Sequence, residues 1–522
     1  MSWLTVGGEN TAWFARWYCQ GRMPIPAVRY NSCRRIASQL GDLSELYMSL
    51  PPVEQCVVGA LARSNWRYNG LIPCACKSTS NLLRLAQNMS KRTPPPTIHR
   101  RDLLRNATAA SFMAAPLASF LLPRHAQARQ TSASNRIRVG AIGVGGRGSL
   151  LLQQLPESAE LVAISDCNVA RAEEFKAKAD GSWPVYQDYR KILDRKDIDA
   201  VIVATGEFQR IVPCIEACQA GKDVYAEKPL TLYISEGRAL VNAVRKYDRI
   251  LQVGTQQSSM EMNRVACELV RNGGLGKVLE VRAIAYAGPE PSPAEPFPAQ
   301  EIPKGLDWNM WLNQAASRPY NKQWMGWMRW RDFAGGEMTN WGAHGVDQIQ
   351  WALGMDATGP IEITPLTDGR NGQVRMTYAN GVQVNYVIEP GKGPMGGAIF
   401  VCEKGKLEIN RNKFTSNPPE IAQQLLKSMN VEEEERKWSD SLSLWQAKWH
   451  MQNWIDCIRS RKLPVADVEI GHRSVSVCHL ANIARTTGRS LRWDPKTELF
   501  LSDDASNQLL TRERRAGFEL PT

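Results

Sequence analysis

Three groups of residues in this 522-residue chain have types and spacings suited to chemistry. The first is Gly143-Val144-Gly145-Gly146-Arg147-Gly148, a G-x-G-x-x-G pattern that follows an apolar run (Ile137, Val139, Ala141, Ile142) and opens a helical one. Glycines there permit a tight turn and let backbone N–H groups approach a pyrophosphate at the positive end of the helix. Asp166, in "LVAISDC", follows Gly148 by 18 residues. A carboxylate at that distance accepts hydrogen bonds from both adenosine ribose hydroxyls and repels a 2′-phosphate, which favours NAD. Arg171, close by, leaves NADP open.

The second group is Glu227-Lys228-Pro229, in "GKDVYAEKPLT", at the end of a short strand, Val224-Tyr225-Ala226. A lysine at a strand end facing a nucleotide crevice can hydrogen-bond a substrate hydroxyl, and a neighbouring positive charge lowers its pKa. Pro229 fixes the local backbone and can take a cis bond. A solvated lysine at a strand end is the commoner case, so these residues alone leave both readings open. The third group is Asn340, His344 and Asp347, whose spacing puts them on one helix face. Imidazole is suited to taking an alcohol proton near neutral pH. An isolated histidine satisfied by core neighbours is the competing reading. His450, His472 and His479 fall in C-terminal helical patterns and read as packing or surface residues.

The elements that must position these groups are partly legible. "DIDAVIVAT" reads as a further buried parallel strand whose C-terminal end, with Thr205, faces the crevice. "GQVRMTY" and "VQVNYVIE" flank Asn380-Gly381, a strong hairpin signal. Upstream of His344, "LDWNMWLNQAASRPYNKQWMGWMRWRDF" holds Trp308, Trp311, Trp324, Trp327 and Trp330 with Arg318, Tyr320 and Arg331. Aromatic faces beside polar forks suit carbohydrate rings. One or two of these tryptophans are expected at ligand and the rest in the core, with Tyr320 and Trp330 the candidates for substrate contact.

Composition narrows the function classes. The net charge of +12 suggests nucleic acid until it is partitioned, because residues 129–522 carry 49 basic and 47 acidic side chains. A whole-domain electrostatic footprint for DNA or RNA therefore disappears. The excess lies in residues 1–128. There, "HRRDLLRNATAASFMAAPLASFLLPRHAQA" sets Arg100-Arg101 before a weakly apolar run and the small-residue pattern Ala126-Gln127-Ala128, which resembles a bacterial twin-arginine signal. The expectation is translation from Met89, with residues 1–88 a start-site artefact or disordered extension, 89–128 a signal peptide, and a mature protein exported to the periplasm by the twin-arginine machinery. The apolar run is too short and polar to span a membrane comfortably, and no cysteine between Ala128 and Asp166 offers a lipid anchor. Cys19, Cys33, Cys56, Cys74 and Cys76 lack the paired spacing of a zinc site, so no metal is expected. Seven cysteines remain after the leader, without a tight disulfide framework.

Taken with "GGEMTNWGAHGVDQIQWALG" (335–354), these motifs make the chain resemble the Gfo/Idh/MocA family of oxidoreductases over essentially residues 136–500. It looks closest to exported members whose tails read like "GHRSVSVCHLANIARTTGRSLRWDP". The resemblance implies an α/β fold: a Rossmann domain with a parallel sheet (136–256), then a C-terminal α/β domain with a large open, mainly antiparallel sheet (257–500) and a tail (501–522). It implies NAD, with Thr205, Glu227 and Lys228 joining Gly143 to Gly148 and Asp166 at the nucleotide. It implies catalysis by Lys228, His344, Asn340 and Asp347, and substrate contact by Lys228, Tyr320, Trp330, Asn340 and His344. Two departures stand out. Asn340 occupies a place where the family often has Asp, which puts a Lys-Asp-His relay in doubt, though Asn340 could orient substrate. "TGEFQR" (205–210) replaces a stretch where related exported proteins tend to carry Pro and His, making Glu207, Gln209 and Arg210 an unusual surface on the substrate side.

The implied activity is oxidation or reduction of a sugar or polyol with a tightly held, recycled cofactor, since free NAD is scarce outside the cell. A redox-neutral NAD-dependent glycosidase and a catalytically impaired binding protein are the alternatives. The implied partners are a carbohydrate-type substrate and further copies of the chain, as dimer or tetramer; neither nucleic acid nor a stable membrane anchor is expected.

Overall fold

The computed structural model describes residues 135–411, 413–429 and 448–521. The leader, the Met89 start and the cysteines before residue 135 lie outside the described residues.

The first apolar run is strand β1 (Ile137–Ile142), buried over its last four residues. With β2 (Ala159–Ser165), β3 (Val185–Tyr186), β4 (Ala200–Val203), β5 (Asp223–Ala226) and β6 (Leu251–Val253) it forms a parallel sheet in the order β3-β2-β1-β4-β5-β6. Every residue of β4 and β5 is buried, which is why their sequence is almost continuously apolar instead of alternating. Helices α1 (Gly146–Leu152), α2 (Val169–Lys178), α3 (Arg190–Leu193), α4 (Glu207–Gln219) and α5 (Ile234–Lys246) alternate with these strands. The order reverses between β1 and β4, which opens a crevice at their C-terminal ends.

Helix α6 (Glu261–Arg271) leads into the second half. There β7 (Val278–Ile284), β8 (Glu362–Pro365), β9 (Val374–Thr377), β10 (Gln383–Ile388), β11 (Ala398–Cys402), β12 (Gly405–Asn410), β13 (Lys413–Asn417), β14 (Leu491–Asp494) and β15 (Leu499–Phe500) form a sheet in the order β13-β12-β11-β7-β10-β9-β8-β14-β15. Its pairs are antiparallel except β7 with β10. The Asn380-Gly381 hairpin joins β9 to β10, with Gly381 at φ +82° and the Asn380 side chain accepting from Val382 N–H at 3.1 Å. Helices α7 (Trp308–Leu312), α8 (Glu337–Asn340), α9 (Gly342–Leu353), α10 (Pro419–Ser428), α11 (Lys448–Ser460), α12 (Val468–Thr487) and α13 (Asp504–Asn507) complete the order. Side chains of α6, α9 and α12 share one apolar core with the inner face of the sheet. The opposite face carries a polar row in which Asn385 links Glu280 to Arg375 at 2.8 and 2.9 Å.

The two halves are not separable in sequence. The chain passes from one sheet to the other between β6 and α6, but α11 returns from the C-terminal half to cover the parallel sheet. Met451, Trp454 and Ile455, all fully buried, pack with Val139, Ala200, Ile202 and Tyr225. Val468 and Val475 of α12 enter the core on that sheet's α4/α5 side. The segment after residue 500, read as a tail, also folds back: it forms α13, and Phe518 is 7 % exposed. Truncating Trp454 to Ala leaves a cavity against β4 and β5. The expected loss is about 3–5 kcal/mol, read as a lower denaturation midpoint at unchanged m-value.

Candidate active site

A cleft of about 580 Å³ opens where β1, β2, β4 and β5 end, and it is closed on the far side by α7, α8, α9 and the β12–β13 turn. Its nucleotide side is built by the glycine turn. Gly143 sits at φ +88°, and a Cβ there would lie 3.0 Å from the Ala204 carbonyl. A Cβ on Gly148 would lie 2.1 Å from Gly143 O, so this glycine lets the helix close on the turn and does not line the cleft. Gly146 has open space where its Cβ would be, and Gly145 meets only the Arg171 guanidinium at 3.9 Å. The two leave a bare backbone concavity of the kind a diphosphate needs. Val144 turns its side chain into the core, and its N–H donates to Asp166 Oδ2 at 3.2 Å. Asp166 Oδ1 accepts from Asn168 N–H at 2.9 Å, and Arg171 Nη1 lies 3.5 Å from Oδ2. The Asp166 carboxylate is thus fixed at the rim beside a cation.

Arg147 reaches from the turn to Glu227, its Nε donating to Oε1 at 2.7 Å. Burial by itself would raise the Glu227 pKa; Arg147 and Lys228 outweigh it and hold the carboxylate below its ordinary value. Gly254 makes room, since a Cβ there would lie 2.9 Å from the Glu227 carboxyl. Glu227 Oε2 in turn accepts from the Lys228 N–H at 2.9 Å, just before the cis Lys228–Pro229 bond.

Lys228 Nζ donates to Asn340 Oδ1 at 2.8 Å and to Asn340 O at 3.3 Å. Burial, only partly offset by Glu227, lowers the ammonium pKa to about 8. The other end of Asn340 donates from Nδ2 to Glu337 Oε2 at 3.1 Å. Each end of this amide thus has a protein partner, through which Asn340 orients Lys228, and the residue also lines the cleft. His344 lines the same cleft and is 3 % exposed. Its Nδ1 has no hydrogen-bond partner among the described residues. Burial, then the cations Lys228 and Arg411, push its pKa well below the ordinary imidazole value. The ring is consequently neutral and able to accept a proton.

Asp347 is not part of this cleft. One helical turn deeper, it accepts from Ser258 Oγ at 2.6 Å and Ser474 Oγ at 3.1 Å, and burial raises its pKa to about 7. It ties α9 to α12 and to the turn after β6. Tyr320 and Trp330 are likewise core residues, 8 % and 7 % exposed, Tyr320 edge-on to Trp308 and Trp330 edge-on to Trp324. The aromatic wall of the cleft is instead Trp311, Trp327 and Trp341. Of the tryptophan-rich segment, Trp311 and Trp327 line the cleft.

Thr205, Glu207, Gln209 and Arg210 of the 205–210 departure line the cleft and at the same time bond to the protein around it. Glu207 accepts from Gly335 N–H and Thr339 Oγ1, both at 2.9 Å, and so holds the segment that delivers Asn340. Gln209 donates to Trp311 O at 2.6 Å. Arg210, 2 % exposed, donates to the carbonyls of Thr205 and Pro229 and clamps the loop bearing Lys228. The residue missed from sequence is Arg411, in the β12–β13 turn. It lines the cleft at φ +57°, donates to Gln257 Oε1 at 2.8 Å and lies 5.0 Å from the Trp341 ring. "EINRNKF" signals a turn but not which element faces it. The three C-terminal histidines pack: His450 bonds Ser259 Oγ and Val253 O at 2.6 and 2.7 Å, His472 bonds Glu498 at 2.7 Å, and His479 bonds Thr231 O at 2.9 Å.

A carboxyl whose folded pKa is raised binds more protons folded than unfolded, so it costs stability as pH climbs from its unfolded value to its folded one. For Asp347 that window runs from 3.8 to about 7. Asp347→Asn imitates the protonated form and should flatten the fall of Tm between pH 4 and 7, measured calorimetrically. An unchanged pH slope would contradict the assignment.

Comparison with known proteins agrees with this geometry. The "Oxidoreductase family, NAD-binding Rossmann fold" model of Gfo/Idh/MocA matches residues 137–255, and the "Oxidoreductase family, C-terminal alpha/beta domain" model matches residues 267–520. The chain belongs to the Gfo/Idh/MocA oxidoreductase family. Among its relatives is a myo-inositol 2-dehydrogenase of Thermotoga maritima, 30 % identical over 161 residues covering 30 % of this chain and 48 % of the relative. Another is a glycosyl hydrolase family 109 protein of Shewanella sp. strain ANA-3, 31 % identical over 219 residues covering 36 % of this chain and 45 % of the relative. The chain thus spans about half the length of the curated relatives it matches. In fold, it is similar to the WlbA dehydrogenase of Bordetella pertussis, solved with NADH and UDP-GlcNAcA, at TM-score 0.52 and 17 % identity, covering 70 % of this chain and 99 % of that one.

Proposed function

We propose that this protein is an NAD(P)-dependent dehydrogenase of a sugar or polyol CH–OH group, acting with a tightly bound, recycled dinucleotide. One observation carries the reading: Lys228 and His344 open on the same cleft as the bare concavity of the glycine turn. The inositol dehydrogenases among its relatives support the substrate class. When bound, the dinucleotide supplies the hydride acceptor and donor. Gly145, Gly146 and Asp166 would hold it. Lys228, protonated below about pH 8, donates to the substrate oxygen and stabilises its developing negative charge. Neutral His344 takes the hydroxyl proton in oxidation and returns it in reduction. Asn340 keeps the ammonium aimed without adding charge, and the 205–210 residues are engaged in holding this arrangement. Both departures are thus compatible with catalysis and give no separate support to a purely binding role.

The relatives named glycosyl hydrolase family 109 support a second reading, a redox-neutral glycosidase at the same site. Product analysis on a glycoside panel separates the two: a released sugar without net nucleotide reduction selects the glycosidase, and an accumulating keto-sugar selects the dehydrogenase. We also place the mature protein in the periplasm, on the strength of the Arg100-Arg101 leader, and as an oligomer through the open sheet; N-terminal sequencing and sedimentation test these.

If Lys228 acts as a cation, kcat/KM falls above about pH 8. Asn340→Asp sets a carboxylate against Nζ, favours the ammonium and should move that basic limb upward in a pH–rate profile. Lys228→Met and His344→Ala should each lower kcat by about 10²–10⁴-fold. Wild-type turnover in both variants would leave a binding protein as the better description.

A further inference from the structure

Helix α7 carries Met310 and Trp311 into the cleft, and Asn313 follows at its C-cap. Five residues of helix leave unsatisfied carbonyls at the C-terminal end. Asn313 is moreover held at φ +48°, ψ −124°, a backbone state that non-glycine residues occupy only when their surroundings impose it. The surroundings come from the far end of the chain. Arg515 donates to Asn313 O from Nε at 3.0 Å and from Nη2 at 2.7 Å, to Asn309 O from Nη2 at 2.7 Å, and to Asn309 Oδ1 from Nη1. A planar guanidinium is suited to such a multi-carbonyl clamp, and an ammonium reproduces it only in part.

The same segment is anchored on both flanks. Arg512 donates to Asp332 O at 2.9 Å, at the end of the tryptophan-rich stretch. Arg514 pairs with Glu236, their side chains 9 % and 1 % exposed. Glu236 in turn accepts from the N–H groups of Leu232 and Tyr233, at 3.0 and 3.3 Å, directly downstream of the Lys228–Pro229 loop. Phe518 is buried, with the Arg515 guanidinium 4.7 Å from its ring. Residues 512–518 therefore form a strap between the loop after the reactive lysine and the aromatic wall opposite. On the cleft side, Gln209 holds Trp311 O, so the wall is pinned from both faces.

We propose that this strap is a specificity-determining element, in which Arg515 is a positioning residue that sets the Met310–Trp311–Asn313 wall against the substrate. The proposal rests on the reading of the cleft as a sugar or polyol oxidoreductase site. Arg515 touches neither Lys228 nor His344, so its loss should disturb the fit of the substrate and spare proton transfer.

The test compares wild type, Arg515→Gln and Arg515→Lys as full-length, nucleotide-loaded protein. Hydrogen exchange by mass spectrometry should show the 308–314 amides of the Gln variant exchanging at least tenfold faster, with β1 and β4 unchanged and the Lys variant in between. With myo-inositol, or whichever panel sugar wild type oxidises fastest, KM should rise five- to tenfold in Arg515→Gln while kcat stays within twofold. Exchange that is unchanged, or faster everywhere including β1 and β4, overturns the proposal. So does a fall in kcat at constant KM. If wild type oxidises no panel member, the functional reading fails by itself and the exchange comparison still decides whether Arg515 holds the wall.

Discussion

The hydrogen bond from Lys228 Nζ to Asn340 Oδ1 is the joint on which the site depends. Its donor stands at the end of a strand in the nucleotide-binding half and its acceptor on a short helix of the other half. Neither partner is placed by its neighbours in sequence alone. Lys228 is held through Glu227, which Arg147 pins from the glycine turn, and through Arg210, which grips the carbonyls of Thr205 and Pro229. Asn340 is held through Thr339 and Gly335, which Glu207 receives. The glycine turn and the backbone of Lys228 are thus joined in one hydrogen-bond network through Arg147 and Glu227.

An amide at position 340 changes the electrostatics of that joint. A carboxylate at the same distance would stabilise the ammonium and raise its pKa. Asn accepts the same hydrogen bond without the charge, so burial prevails and Lys228 titrates near 8. Burial, and after it the cations Lys228 and Arg411, push the His344 pKa well below the ordinary imidazole value. Positive charge, low dielectric and an uncharged acceptor thus shift both groups downward, so environment more than residue type sets their proton affinities.

Much of this was legible in the residues. The glycine turn, Asp166, Lys228 and His344 are local signatures whose surroundings follow from strand–turn–helix order, and the structure gathers them at one cleft. What escaped depends on depth and on partners distant in sequence. Asp347 shares the helical phase of Asn340 and His344, but one further turn takes it beneath the cleft floor to Ser258 and Ser474. Tyr320 and Trp330 have the composition of a sugar platform, yet mutual packing of aromatic rings claims them for the core. Arg411 belongs to a hairpin whose aim is fixed by sheet packing, which periodicity does not encode. The 205–210 stretch was legible as a departure but not as a clamp, because its partners lie more than a hundred residues away in Gly335, Thr339 and Trp311.

The placement of α11 has a consequence for the order of assembly. Peptide bonds are made from the amino terminus, so β1 to β6 leave the ribosome some two hundred residues before Met451, Trp454 and Ile455 exist to cover them. Throughout that interval Val139, Ala200, Ile202 and Tyr225 lack the cover that α11 gives them, with Leu151 of α1 packed beside them. His344 and Arg411, which line the cleft opposite the glycine turn, are also made later, so the cleft is complete only once both halves of the polypeptide exist.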